Sequence, residues 1–265
     1  MELRGRWVLV TGASSGLGRE MARDLAQRHG AQLILVARRE DRLQALKAEL
    51  EQTVGIQVRV IAADLSKPED VERVFEESVA AQEVYGVVLN AGVTHFGRHQ
   101  DLSWQEFEAL LETNVKSCVR LVSQFVPYLI ERNHGGGLML VTSMTGLVPT
   151  PYQTAYSASK AFLTTFGEGL FHELQGENVS VTTFAPGGIT TEMTERNGLQ
   201  QHFGDTMQMM NADVCARIAI EAMVARRYLA IPGWFNRLQS ALPRLVPRRL
   251  VGMVLAQAYK KALPR

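Results

Sequence analysis

Cysteine is nearly absent from this chain of 265 residues, which holds only Cys118 and Cys215. The two stand far apart and outside any CxxC or Cys/His spacing, which excludes a metal centre or redox pair built on thiols. Both read as small buried apolar residues. Charge of one sign is equally scarce: Lys and Arg total 28 against 27 Asp and Glu. No global basic field is available to hold a polyanion, so nucleic acid is excluded as the main partner. No uninterrupted apolar run reaches the roughly 20 residues of a membrane-spanning helix. Met1 to Arg6 lead straight into an apolar strand, too early for a secretory signal, so a cytoplasmic location is expected. Linkers and repeats are missing as well, since no Pro/Gly/Ser-rich stretch divides the chain.

What is present is an alternation of short β-rich apolar runs with longer segments of helical period. Strands are expected over 7–11, 32–37, 57–62, 86–90, 137–142, 179–185 and 228–231, with a first helix over 16–29. Runs that are apolar throughout suit strands covered on both faces. The expectation is an α/β fold: a doubly wound, Rossmann-type, mostly parallel seven-stranded sheet with helices on both faces. One domain spans 1–233 and an extension follows over 234–265. Within the domain, 187–210 breaks the rhythm. Its Met193, Phe203, Met207, Met209 and Met210 suit either a pliable apolar lid or core filling under a loop.

The first strand runs directly into Thr11-Gly12-Ala13-Ser14-Ser15-Gly16-Leu17-Gly18 and then a helix. Glycines there let the backbone turn tightly and approach phosphate oxygens, and the helix N-terminus supplies free N–H groups. The spacing is neither GxGxxG nor a Walker loop. Two more residue groups fall at the ends of later strands, where open α/β sheets bind ligands. Asp64 can accept from an adenine amino group, with Ser66 free to cap the next helix. Asn90-Ala91-Gly92 brings backbone close to a ribose.

Tyr156 and Lys160 are i, i+4 neighbours at the start of an apolar helical stretch. A nearby ammonium lowers a phenol's pKa from about 10 by roughly one to three units, making Tyr156 a usable general acid or base. Ser143 closes the fifth strand, where its hydroxyl can hydrogen-bond a substrate oxygen. Asn114 is an odd choice inside a long helical stretch, because its side chain competes for backbone hydrogen bonds; a local kink with an ordered water would explain it.

Taken together, these motifs resemble the short-chain dehydrogenase/reductase family up to about Pro232. TGxxxGxG matches Thr11 to Gly18, and the family's adenine-site Asp and NAG motif match Asp64 and Asn90 to Gly92. The family tetrad falls on Asn114, Ser143, Tyr156 and Lys160. Pro186 and Gly187, with Ile189 and Thr191, match the segment along the nicotinamide. Leu89 and Thr145 depart from the family's usual Asn and Ala without removing a reacting group. The resemblance implies that hydride passes between the cofactor and a carbonyl or alcohol carbon while Tyr156 transfers the proton. Lys160 would also bind the nicotinamide ribose, and Asn114 would hold a water linking Lys160 to solvent. It further implies cofactor contacts from Ser14, Ser15, Leu17 and Leu65, and substrate contacts from Ser143 and Tyr156. A cofactor-binding sensor or scaffold without turnover is the competing reading, and a methyltransferase a third; both leave the retained tetrad unexplained.

NADP(H) is expected over NAD(H). The second strand ends on Ala37, so no carboxylate repels a 2′-phosphate, and Arg38 follows with a guanidinium fork suited to one; Arg39 is a second cation or the next helix's first turn. The expected partners are a small apolar carbonyl or alcohol and a second copy of the chain in a homo-oligomer; no metal is implied. In the extension, Trp234, Phe235, Leu238, Leu242, Leu245, Val246, Leu250, Val251, Val254 and Leu255 mix with Arg237, Arg244, Arg248, Arg249 and Lys260. Pro243 and Pro247 break any long helix. The segment packs on its own domain, or covers a partner subunit or a membrane interface as a peripheral contact.

Overall fold

The computed structural model describes residues 1–196, 209–241 and 246–263. Seven parallel strands form one sheet in the order β3-β2-β1-β4-β5-β6-β7. They are β1 (Trp7–Thr11), β2 (Gln32–Ala37), β3 (Val58–Ala62), β4 (Val84–Leu89), β5 (Gly137–Val141), β6 (Ser180–Phe184) and β7 (Leu229–Ala230). The described helices are α1 (Gly16–His29), α2 (Glu40–Val54), α3 (Pro68–Ala81), α4 (Trp104–Leu111), α5 (Ser117–Arg132) and α6 (Thr154–Glu173). After them come α7 (Glu192–Arg196), α8 (Ala212–Val224), α9 (Trp234–Ala241) and α10 (Arg248–Lys261).

The strands read as continuous apolar runs because both faces of the sheet are covered. In β1, Val8 and Val10 enter one core layer and Leu9 the other; in β2, Leu33 and Leu35 oppose Ile34 and Val36. The first layer is closed by Met21 and Leu25 of α1, Leu43 and Leu50 of α2 and Ala219 and Ile220 of α8. The second is closed by Val74 of α3, Phe125 of α5 and Leu163 of α6, with Phe75 and Phe125 edge to face at 5.0 Å. Successive strands run outward from β1 in one direction and from β4 in the other, so the chain reverses its winding between them. A crevice therefore opens beyond the carboxyl ends of β1 and β4.

Five of the seven strands begin or end one or two residues from expectation, and two of these departures, like the kink at Asn114, have a local cause. β4 stops at Leu89 because Asn90 turns to Thr11: its backbone N–H reaches Thr11 Oγ1 at 2.9 Å and its Nδ2 reaches the Thr11 carbonyl at 2.9 Å. β7 keeps two residues, paired only to β6 at the sheet edge. The expected kink at Asn114 is a five-residue π-helical turn, Glu112–Lys116, between α4 and α5. Such turns insert one extra residue per turn and redirect the side chains they carry.

Phe203, Met207, Leu242, Pro243, Arg244 and Leu245 lie outside the described residues. At the described edges of the expected lid, Met210 packs against the first core layer while Met193 and Met209 line the crevice. Met210 and Gly188 also exchange backbone contacts, with Met210 N–H to the Gly188 carbonyl at 3.0 Å and Thr190 N–H to the Met210 carbonyl at 3.2 Å. Among the described residues no helix is long and apolar enough to cross a membrane.

Candidate active site

A cavity of about 620 Å³ occupies the crevice, within the roughly 300–1,000 Å³ usual for small-molecule sites. All the residues expected at the site line it except Asn114, which is fully buried behind the wall. The glycine turn forms its floor. Gly12 has φ +70°, open to glycine without strain, and a Cβ there would sit 2.8 Å from Asn90 Nδ2. At Gly18 a Cβ would lie 2.4 Å from the Gly12 carbonyl oxygen. The two glycines thus let the turn fold onto the start of α1 and onto the Asn90-Ala91-Gly92 wall. α1 begins at Gly16 with no side-chain cap, so its first N–H groups and the positive end of its dipole face the cavity. Thr191 closes the opposite side, 3.2 Å from where a Gly16 Cβ would stand. A dinucleotide diphosphate fits this cradle, because the donors that would hold it are backbone groups that any side chain would cover.

The adenosine end differs from expectation in two respects. Ser66 does not cap α3: its hydroxyl and its N–H donate to Asp64 Oδ1, at 2.9 and 3.1 Å, and Pro68 starts the helix after an extended Lys67. Asp64 is therefore tied into a local turn while still facing the cavity. Second, Arg39, expected as a further cation or as the first turn of the next helix, reaches over the glycine turn, while Arg38 is exposed and lines the cavity. Arg39 donates to Ser14 Oγ at 3.2 Å and to Ser15 Oγ at 2.6 Å. Its remaining amino group meets Glu192 at 3.0 Å, and Arg42 grips the same carboxylate. The two guanidinium groups hold Glu192 below the usual carboxylate range.

At the other end, Ser143, Tyr156 and Lys160 converge. Ser143 follows β5, and its Oγ accepts from Thr145 N–H at 3.2 Å and from Thr145 Oγ1 at 2.9 Å. Its own proton is thereby left to point elsewhere, and a hydrogen bond with Tyr156 lowers the phenol's pKa in part. Burial outweighs that bond and pushes Tyr156 up to about 12, so the expected lowering by Lys160 does not occur. The reason is that Lys160 is itself buried, is lowered to about 8 by desolvation, and donates to the Val141 carbonyl at 2.9 Å. Its ammonium lies 5.8 Å from the Tyr156 ring centre. Asn114 uses both side-chain ends on its neighbours: Oδ1 accepts from Val93 N–H at 2.8 Å, and Nδ2 donates to the Val93 carbonyl at 2.9 Å and Ser159 Oγ at 3.1 Å. A Cβ at Gly92 would be 3.3 Å from both Asn114 Oδ1 and Lys160 Nζ, so glycine keeps the gap between them clear. The two cysteines are inert by the same effect that raises Tyr156; burial pushes each thiol up to about 12.

The sequence reading missed several residues. Gln153, buried one turn before Tyr156, lines the cavity and donates to Thr94 Oγ1 at 3.4 Å. Asn236 and Gln239 of α9 and Tyr259 of α10 also line it, so the extension supplies part of the wall. A signal for Tyr259 was available: Gly252, Leu255, Tyr259 and Ala262 recur at helical spacing, and Tyr259 and Ala262 pack on Phe96 and Tyr152. Because Lys160 binds its proton more weakly folded, at about 8, than at its ordinary 10.5, the unfolded chain holds more protons between those values. Stability from this group therefore rises with pH across that window, and below it the full burial cost remains. Unfolding free energies of wild type and Lys160→Met, compared at about pH 7 and about pH 10, should show wild type gaining on the variant at the higher pH. A constant difference would contradict a buried ammonium.

The family model described as short chain dehydrogenase matches residues 6–202. An uncharacterized oxidoreductase of Myxococcus xanthus is 38% identical over 203 residues, covering 76% of this chain and 79% of the relative. Among solved structures, a 7beta-hydroxysteroid dehydrogenase superposes with a TM-score of 0.86 at 25% identity, over 97% of this chain and 100% of that one. A short-chain dehydrogenase from Sphingobium yanoikuyae, solved with NADPH, gives 0.79 at 29% identity over 91% and 94%. With its seven-stranded parallel sheet, its glycine cradle at the switch point and a family match over most of its length, the chain belongs to the short-chain dehydrogenase family of oxidoreductases.

Proposed function

We propose that this protein reduces the carbonyl group of an apolar small molecule with NADP(H), Tyr156 donating the proton. The reading is carried by the meeting of a neutral phenol, a serine hydroxyl and a buried cation in the cavity that Pro186 and Gly187 also line. A bound nicotinamide supplies the hydride. With its pKa near 12, Tyr156 is protonated at neutral pH and starts as an acid, the form carbonyl reduction requires. Ser143, its oxygen fixed by Thr145, offers its proton to the same substrate oxygen and so polarises the carbonyl. Lys160, charged below about pH 8, is placed to hold the nicotinamide ribose, and a proton passes by way of it to the phenolate that donation leaves. Asn114 Oδ1 retains one lone pair beyond its bond to Val93, available to a water that returns a proton by way of Lys160. Met144, Met193, Met209 and Tyr259 give the substrate end apolar walls, which favours an apolar carbonyl compound.

Support for NADP(H) comes from Ala37, which carries no carboxylate, and from the cluster of Arg39, Ser14 and Ser15, with Arg38 lining the same cavity. The Sphingobium relative solved with NADPH is in keeping with this. Glu192 competes with a 2′-phosphate for the Arg39 guanidinium.

Tyr156→Phe should lower turnover by roughly 10²- to 10⁴-fold and leave cofactor affinity within about twofold, since only the ionisable hydroxyl is removed. Stopped-flow turnover and fluorescence titration of cofactor check the two halves; substantial activity at the wild-type pH optimum would overturn the role of Tyr156. Charge-assisted contact with the phosphate, at about 1.5–3 kcal/mol, predicts a preference for NADPH over NADH of roughly ten- to a hundredfold. Glu192→Gln should tighten NADPH and leave NADH unchanged, and Ala37→Asp with Arg39→Ala should reverse the preference. Equal or tighter binding of NADH by the unmodified protein would contradict the assignment.

A further inference from the structure

We infer that α9 and α10 form a docking surface for an anionic phospholipid bilayer. Ten large apolar side chains are markedly exposed among the described residues, and six of them stand on these two helices: Trp234, Phe235, Leu238, Leu250, Met253 and Val254. Trp234 is 74% exposed and Val254 67%. Scattered exposed apolar residues are ordinary on a soluble protein; their concentration in one short segment is not. The inner face of α10 is already committed, with Tyr259 and Ala262 buried on Phe96 and Tyr152. Its outer face carries Leu250, Met253 and Val254 at i, i+3 and i+4, with Arg249, Lys260 and Lys261 also exposed.

Charge decides what covers that face. Residues 234–265 hold seven Lys and Arg and no Asp or Glu, whereas residues 1–233 hold 21 basic and 27 acidic residues. The extension is thus +7 on a body of −6. A second copy bound through the same patch in a two-fold contact would set one cationic extension against another. A nucleic acid would satisfy the charge and leave the Trp, Phe, Leu, Met and Val side chains in water. An anionic bilayer answers both: apolar side chains enter the headgroup boundary while Arg and Lys stems reach the phosphates. The same two helices contribute Asn236, Gln239 and Tyr259 to the cavity wall, so docking brings that wall beside the lipid. This consequence rests on the carbonyl-reduction reading; the docking itself does not.

The test is flotation of the full chain with vesicles of phosphatidylcholine alone and of an equimolar mixture with phosphatidylglycerol. Binding to the anionic vesicles should exceed binding to neutral ones by about tenfold or more, each basic side chain near the surface adding to the attraction, and should fall at about 0.5 M salt. Leu250→Glu with Val254→Glu should lower it by about tenfold or more at unchanged mass and NADPH affinity. If that variant fails to fold, Arg248→Gln with Arg249→Gln decides, and should weaken binding to the anionic vesicles alone. Equal or absent binding to the two vesicle types would overturn the inference. So would variants that bind as wild type does, or a native mass that falls on substitution, the mark of a self-association surface.

Discussion

The arrangement at the site depends on one buried cation. Lys160 is 3% exposed, and an ammonium taken out of water costs several kcal/mol unless its surroundings replace the lost solvation. Here the replacement is the Val141 carbonyl at the end of β5. That contact ties the first turns of α6 to the sheet, and it fixes where Tyr156 can stand. The π-helical turn carries Asn114 into the same region, Gly92 leaves the space between Asn114 and Lys160 open, and Ser159 joins Asn114 to the backbone of Tyr156. A cation of low pKa and a phenol of high pKa are two results of the same burial. They leave a protonated acid beside a charge that can still be given up near pH 8.

The second constraint is topological. The sheet must reverse its winding between β1 and β4, and only there do strand ends diverge enough to admit a ligand. The glycine turn and the Asn90 wall meet across that opening because Thr11 serves both: its hydroxyl accepts from Asn90 and Ala91 N–H and donates to the Val88 carbonyl. The cradle is therefore part of the sheet's own hydrogen bonding, which places rigid backbone where a diphosphate would lie.

Much of this was legible in the sequence. Strands buried on both faces announce themselves as apolar runs, and the glycine turn is confined to one place by its position after β1. Asn114 was readable as a fault in a helix. What was not legible depended on distance and burial. Tyr156 and Lys160 share a helix face, but whether the cation lowers the phenol or turns to a carbonyl is decided by β5, far away in sequence. Ser66 has the chemistry of a helix cap, and only the fold shows that Asp64 takes its hydroxyl. Arg38 and Arg39 are adjacent, and the start of α2 determines which of them turns over Ser14 and Ser15. Tyr259 and Asn236 reach the cavity through tertiary packing that no local pattern specifies in full.

Hydride transfer to a carbonyl carbon leaves an isotopic mark on the product. The protein would be incubated with NADPH carrying deuterium at both hydrogen positions of the nicotinamide C4 and a panel of apolar ketones, and the products read by mass spectrometry. The expected products are alcohols carrying one deuterium on the carbinol carbon, with the hydroxyl proton drawn from solvent. Alcohol product without the label at that carbon would contradict hydride transfer.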